Sequence, residues 1–399
     1  MPRWLSFGSG HKLRLANTLA FSMNFIYSAI WVFLLTSQAW SSPQNWDESV
    51  VDSQNHLEAA IESGVGPGIS VAVGYGDHVI WAAGFGFADL KAEKLVHTDT
   101  LFRVGSVSKT LTASALMRLR ENQEVDIDLP ASFYLRDFPE KEWSFTTRQL
   151  ATHVAGIRHY RGKEFYLNEP FASMAESVSI FKDDPLLFEP GTSYKYSTYG
   201  WTLLSAVMEG ATGKEYLEIM QAEVFDPLSL DSTFPDKVEV KRPLRTSFYK
   251  KGENGFVSAP AVNNSYKWAG GGFLSTPSDL VRFALAHLSP GYLSAESLSV
   301  MFKNQAIASG ETVGCGIGWK VGRRRSIGQW VGHSGGSVGG KTMLVLIPSK
   351  QIAVAVTLNN TEGPAQQLAF DVAAIFAEAV PAAPTKPEAE TQRPQPVAR

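Results

Sequence analysis

The sequence predicts an α/β (α+β) chain: a mixed antiparallel sheet flanked by helices and closed by both ends of the chain, beside a mainly helical middle. Two observations carry this expectation. Short β-branched runs bounded by turn residues occur near residues 69–87 and again near 343–358, whereas helical spacing prevails between them. The last periodic segment is again helical.

In chain order, Ser53-Gln-Asn-His-Leu-Glu-Ala-Ala-Ile-Glu reads as a helix ending near Gly64. Ile69-Ser-Val-Ala-Val-Gly and Val79-Ile-Trp-Ala-Ala-Gly-Phe-Gly-Phe, joined across Tyr75-Gly-Asp-His, read as a hairpin. From about Thr110 to Pro277 the chain reads as helices and long loops. Within that stretch Leu150-Ala-Thr-His153 looks like a helix end stopping at Gly156, and His153 is read as structural. Trp201-Thr-Leu-Leu-Ser-Ala-Val-Met has helical spacing, and Asp279 is expected to cap an amphipathic helix. Met343-Leu-Val-Leu-Ile and Ile352-Ala-Val-Ala-Val-Thr-Leu read as strands, and residues 366–379 as the closing helix. Residues 46–380 then form the folded part, with the sheet drawn from about 46–105 and 285–380 and the helical part from about 106–284. The Pro/Glu/Thr/Gln-rich residues 381–399 lack apolar periodicity and are expected to be disordered.

Residues 1–45 are a separate matter. Arg3, Lys12 and Arg14 precede an uncharged, mostly apolar run from Leu19 to Leu35, and Ser37-Gln38-Ala39 resembles a small-x-small cleavage site. A secretory signal peptide is the first reading, with an uncleaved membrane anchor through 19–35 as the alternative. Either puts the folded part outside the cytoplasm, periplasmic or secreted. The run is too uniformly apolar for a mitochondrial presequence.

Composition narrows the chemistry. A net charge of −3 and the lack of a basic stripe with interleaved aromatics argue against nucleic acid. One cysteine, Cys315, excludes an internal disulfide and a Cys-rich zinc site, and the histidines lack ligand spacing, so neither metal nor cofactor is expected.

The chemistry-bearing stretch is Ser106-Val-Ser-Lys109, after Gly105 and at the start of a helix-forming run. Positions three apart share a helix face, so the Lys109 amine can reach the Ser106 hydroxyl. A serine hydroxyl needs an adjacent base, and a lysine in an apolar site can lose its proton to become one. A second stretch, Pro190-Gly-Thr-Ser-Tyr-Lys-Tyr196-Ser-Thr198, places a phenol and a small hydroxyl in a loop before a helix. A third, Gly332-His333-Ser334-Gly335-Gly336, sits beside strands, where glycines mark close approach of a ligand or another backbone.

Ser-x-x-Lys, Tyr-x-(small polar) and a basic residue followed by Ser-Gly, in that order, resemble the serine β-lactamase and penicillin-binding protein superfamily. The likeness spans roughly residues 50–380. It is greatest to the class C β-lactamase-related branch, and the wording of His153-Val-Ala-Gly-Ile-Arg and Tyr196-Ser-Thr-Tyr-Gly-Trp is similar to its β-lactamase-like serine peptidases. The resemblance implies the β-lactamase/transpeptidase-like fold. It implies Ser106 as acylated nucleophile, Lys109 as its base and Tyr196 as second proton carrier. It further implies the N–H groups of Ser106 and Gly336 as oxyanion hole, and Thr198, His333, Ser334 and Gly335 as substrate contacts. Two positions depart from the pattern: many relatives carry lysine where His333 stands and asparagine where Thr198 stands. Both changes weaken recognition of an anionic amide, because histidine is at most partly charged and a hydroxyl replaces an amide. The expectation is therefore an esterase, peptidase or D-alanyl carboxypeptidase acting on a small-molecule or peptide substrate. The alternatives are a true β-lactamase and a non-catalytic sensor of cell-wall fragments.

Overall fold

The computed structural model describes residues 45–380; the apolar run 19–35, the expected cleavage site and the tail 381–399 lie outside the described residues. From one end of the chain come strands β1 (Gly68–Tyr75), β2 (His78–Asp89) and β3 (Lys94–Leu95). From the other come β4 (Lys320–Arg324), β5 (Gly328–Ser337), β6 (Gly340–Ile347) and β7 (Ile352–Leu358). Their spatial order is β3-β2-β1-β7-β6-β5-β4, each neighbouring pair antiparallel. The seam is β1 against β7, from Ile69 opposite Leu358 to Tyr75 opposite Ile352, so the two ends of the chain close one sheet. The expected hairpin is the β1–β2 pair.

Six helices matter for the site and its support: α1 (Asp47–Glu62), α2 (Ser108–Glu121), α3 (Thr147–Ala151), α4 (Thr198–Thr212), α5 (Pro277–Leu285) and α6 (Ala365–Ala379). Alternation in the strands sorts them into layers. Ile352, Val354 and Val356 of β7 join Val71, Val73 and Val345 in a core completed by Leu57 of α1 and Phe370 and Phe376 of α6. The intervening Ala353 and Ala355, with Ala72 and Leu344, face a second core holding Leu111 and Leu116 of α2 and Val281 and Phe283 of α5. Covered on both faces, β7 is buried along its whole length.

Three local expectations are corrected. Helix α1 begins at Asp47 and not at Ser53, because the Trp46 ring packs 5.5 Å from that of Phe376 and anchors an earlier start. Thr276, not Asp279, caps α5, accepting the Asp279 N–H at 3.2 Å. The Asp279 carboxylate instead accepts Ser232 N–H at 2.8 Å and the Thr233 hydroxyl at 3.0 Å. Helix α3 ends at Ala151, and His153 itself takes the left-handed conformation at φ 64° before Gly156. Helix α5 packs on β1 and β7, although its residues lie inside the stretch assigned to the helical part. Among the described residues, no helix is long and apolar enough to cross a membrane.

Candidate active site

Strand Phe102–Arg103 leads through Val104 into a 3₁₀ turn, Gly105–Val107, which runs straight into α2. Ser106 therefore sits on the turn and Lys109 in the first helical turn, a spacing that brings Lys109 Nζ to 3.2 Å from Ser106 Oγ. The turn lies directly against β5. Gly105 has φ +52°, and a Cβ there would meet Gly336 N at 2.6 Å; a Cβ on Gly335 would meet Val104 O at 1.9 Å. Only glycine allows two backbones this close, which is what glycines inside an apolar strand suggested.

Lys109 is completely buried. Its Nζ donates to Thr198 Oγ1 at 3.3 Å and to the Gly270 carbonyl, and lies 5.0 Å from the centre of the Tyr196 ring. Burial, reinforced by the positive charge of Lys267, holds its ammonium far below the usual lysine range. No carboxylate opposes that shift. The shift favours the neutral amine.

Tyr196, in the loop before α4, lines the same cleft as Ser106. Burial raises its phenol above the ordinary tyrosine range while a hydrogen bond to Ser106 pulls it the other way, so the hydroxyl keeps its proton. Three imidazoles surround the ring: His153 at 4.4 Å, His159 at 5.6 Å and His333 at 6.2 Å between centroids. Two of them organise the helix start. His153 Nδ1 accepts Ser197 N–H and His159 Nδ1 accepts Thr198 N–H, each at 3.1 Å. An imidazole that accepts in this way must be neutral. Burial agrees, taking His153 well below its ordinary value and His159 to about 4. Ser197 caps α4 by accepting Gly200 N–H at 2.9 Å and donates its own hydroxyl to Arg158 O at 2.6 Å. His153 is thus structural in that it positions Tyr196 and Thr198.

His333 lies on β5 and is buried, its Nδ1–H donating to Ser334 O at 2.7 Å. Burial and the nearby Lys109 push it down to about 3, so it carries no charge at neutral pH. The cleft over Ser106 has two lobes. The wider, about 400 Å³, is lined by Lys320, His333, Ser334, Ser337, Lys341 and Thr361. The narrower, about 90 Å³, is lined by His159, Tyr160, Thr198, Lys267, Gly270 and Gly271. Ser106, Phe165, Tyr196 and Gly336 line both. Of the site residues singled out in the sequence, Ser106, Tyr196, Thr198, His333, Ser334 and Gly336 line this cleft, whereas Lys109 lies buried behind Ser106 and Gly335 sits against Val104. Sequence reasoning missed Lys267, Lys320, Lys341, Tyr160, Phe165 and the Gly270 carbonyl. For Lys267 the available signal is its position between Tyr266 and Trp268, just before Ala269-Gly-Gly-Gly272, where a charge has little room to reach solvent. Burial and the positive charge of Arg103 take it down to about 7, with Asp236 opposing.

A family model described as Beta-lactamase matches residues 54–378. The chain belongs to the beta-lactamase family. Its fold and its hydrolase relatives make it a serine hydrolase of β-lactamase and penicillin-binding-protein type. It is 31% identical over 410 residues to "Serine beta-lactamase-like protein LACTB, mitochondrial" of Homo sapiens, covering 79% of this chain and 74% of the human protein. It is 27% identical over 350 residues to a D-aminopeptidase of Gluconobacter oxydans (strain 621H), covering 85% of this chain and 64% of that one. Among solved structures, the octameric penicillin-binding protein homologue from Pyrococcus abyssi superposes with a TM-score of 0.72 at 25% identity, covering 82% of this chain and 77% of that one. Family members share the mixed sheet flanked by helices described above, and the fold expected from the sequence is the one found.

Proposed function

We propose that this enzyme hydrolyses ester or amide carbonyls through an acyl-enzyme on Ser106, with Lys109 as base and Tyr196 as proton carrier. The observation that carries this reading is the valence of the Lys109 nitrogen. A neutral amine has two N–H bonds and one lone pair. Two partners, Thr198 Oγ1 and the Gly270 carbonyl, take the N–H bonds, and Ser106 Oγ at 3.2 Å is left for the lone pair. The Ser106 proton moves to Lys109 as Oγ attacks the carbonyl carbon. The oxyanion lies between the N–H groups of Ser106 and Gly336, a donor of this kind contributing about 3 kcal/mol to the transition state. The Tyr196 hydroxyl, hydrogen-bonded to Ser106, protonates the leaving group. Water enters where the leaving group was and gives one proton to the phenolate as its oxygen bonds to the acyl carbon; the bond to Ser106 Oγ then breaks, Lys109 returns its proton to that oxygen, and the acid leaves with all three side chains restored.

The two departures from the β-lactamase pattern favour an esterase or peptidase over an antibiotic-hydrolysing enzyme. Neutral His333 supplies no fixed charge for a substrate carboxylate, and Thr198 commits its oxygen to Lys109. Export, with this domain outside the cytoplasm, is the location we propose from the Leu19–Leu35 run; sequencing the amino terminus of the protein recovered from its native compartment tests it.

The mechanism is tested by exposing the protein to a fluorophosphonate and to a labelled penicillin, then reading the mass of the peptide that carries Ser106. A phosphonate adduct that Ser106→Ala abolishes is the expected result. A penicillin adduct that turns over favours a β-lactamase, and the absence of both adducts favours a sensor of cell-wall fragments.

A further inference from the structure

The guanidinium of Arg158 has every one of its hydrogens committed. An arginine side chain carries five N–H bonds. Here Nε donates to Asp184 Oδ2, and Nη1 to Glu164 Oε2 at 2.7 Å and to the His159 carbonyl at 3.1 Å. Nη2 donates to Glu164 Oε1 and to the Ile180 carbonyl, each at 3.0 Å. The side chain is buried and lies over the Tyr199 ring, 5.0 Å from its centre. Glu164 is held as firmly from its own side. Its Oε2 also accepts the Arg161 N–H at 2.6 Å and the Tyr199 hydroxyl at 3.1 Å, and its carbonyl accepts the Tyr266 hydroxyl at 2.8 Å. A bidentate, charge-assisted pair fixes geometry as well as energy. None of this is needed for a surface loop, and the reason for it stands one residue further on. Phe165 lines both lobes of the cleft together with Ser106, while Tyr166 on its other side is largely exposed.

Resting on the acyl-transfer reading above, we propose that Glu164 is a positioning residue: clamped by Arg158, it holds Phe165 at the junction of the two lobes as the wall they share, and that wall sets how tightly substrate is bound. Glu164–Tyr166 is a single 3₁₀ turn of three residues, so a shift of the Glu164 backbone carries Phe165 with it. Within the cleft the Phe165 ring lies 5.7 Å from that of Tyr160 and 4.6 Å from Lys267 Nζ. Ring contacts of this kind fix a position less firmly than a bidentate ion pair does, so the clamp decides where Phe165 stands. The backbone of the same arginine serves the other half of the site. Its carbonyl accepts the Ser197 hydroxyl at 2.6 Å, and Ser197 caps α4 between Tyr196 and Thr198. One residue thereby supports two parts with different kinetic signatures. The Ser197 bond steadies the proton-carrying phenol, whereas the Glu164 bond steadies a wall that meets the bound ligand before and during reaction alike. Loss of contact with such a wall weakens ground state and transition state equally, which raises KM and spares kcat.

The test follows inactivation of the full-length protein by an alkyl fluorophosphonate, whose KI reports binding and whose kinact reports bond formation at Ser106. Glu164→Gln and Phe165→Ala are each expected to raise KI about tenfold while kinact stays within about threefold of wild type. The double variant should be no worse than Phe165→Ala, because both substitutions remove one contact. Phe165→Tyr, which keeps the ring, should leave KI within about threefold of wild type. Ser197→Ala should show the reverse signature, a lower kinact at unchanged KI. An unchanged KI in Glu164→Gln, losses that multiply in the double variant, or a fall in kinact as large as the rise in KI overturns the proposal. If Glu164→Gln fails to fold, Tyr199→Phe replaces it: one donor to Glu164 is lost without a cavity, KI should rise about threefold, and an unmoved KI overturns the proposal just as well. Normal inactivation of the wild type with KI unmoved in the variants sinks the clamp alone. A wild type that forms no adduct on Ser106 overturns the acyl-transfer reading and this one with it.

Discussion

Gly335→Ala isolates the contact between β5 and the nucleophile turn. The added methyl would start 1.9 Å from Val104 O and 2.9 Å from Val104 C, with Ser106 N at 3.4 Å. Restoring an ordinary C···O contact of roughly 3.3 Å requires about 1.4 Å of separation between the strand and the turn. Backbone lies on both sides, so no side chain can rotate away to absorb it. The displacement falls on the residue before Gly336 and on the carbonyl two residues before Ser106, so it misplaces the nucleophile relative to the Gly336 N–H. An error near 1 Å at a reacting centre costs about 10²-fold in rate. The expected result is a kcat/KM about 10²-fold below wild type on any ester the enzyme turns over, with a cooperative melt retained. Gly291→Ala is the matched control, because a methyl there meets nothing within 4 Å. Gly335→Ala within threefold of wild type would refute the claim that this backbone contact sets the geometry of Ser106.

Further outcomes follow from the same structure. Lys109→Met should lower kcat by about 10²- to 10⁴-fold, the range for a lost general base, yet raise the thermal midpoint, since the cost of burying an amine without a counter-ion outweighs its hydrogen bonds to Thr198 and Gly270. A lowered midpoint in thermal unfolding would mean that the amine is stabilising and not a stored cost. The pH profile of kcat/KM should rise as Lys109 loses its proton, below the ordinary lysine range, and Tyr196 should produce no alkaline fall below pH 10. A His333→Gln profile that lost an inflection present near pH 6.5 in the wild type would contradict a neutral imidazole. Acid should weaken the fold through its buried histidines. Fully buried His287 is held down at about 4, against about 6.5 when unfolded, so the unfolded chain binds a proton the native one refuses. Its contribution is complete above pH 6.5 and falls by roughly 3 kcal/mol by pH 4. Urea unfolding at pH 7, 5 and 4 measures this, and a flat stability over that range refutes it.

The parts of the molecule that were legible in the sequence are those whose information is local or repeated. Alternating β-branched residues at 69–73 and 352–356 announce strands, and their placement at opposite ends of the chain leaves β1 and β7 to close the sheet. Ser106 and Lys109 meet because helical spacing alone joins them. The strand glycines 335 and 336 advertised a close backbone, though not that the backbone would be Val104. What stayed hidden depends on contacts between distant residues. His153 and His159 hold amides 44 and 39 residues further along the chain, and no spacing rule encodes such a reach. Asp279 looked like a cap because it stands at a helix start; its actual partners, Ser232 and Thr233, belong to another loop. Lys267 has only its flanking Tyr266 and Trp268 to mark it in the sequence, and tertiary packing is what adds Phe165 and Tyr160.

The electrostatics of the cleft follow from one compositional choice: among the described residues neither lobe is lined by a carboxylate. An aspartate beside Lys109 would stabilise its ammonium, return it toward the ordinary lysine range and remove the lone pair that Ser106 requires. The imidazoles around Tyr196 are compatible with the same requirement: they bring no negative charge to stabilise the Lys109 ammonium, and burial with Lys109 nearby keeps His159 and His333 neutral. Thr198 hydrogen-bonds Lys109 and also lines the narrow lobe. An asparagine at that position, longer and carrying its own donors, would narrow the lobe. Thr198→Asn should therefore reduce turnover of esters with a bulky acyl group more than it reduces turnover of an acetyl ester. Equal losses on the two substrates would show that Thr198 serves Lys109 alone.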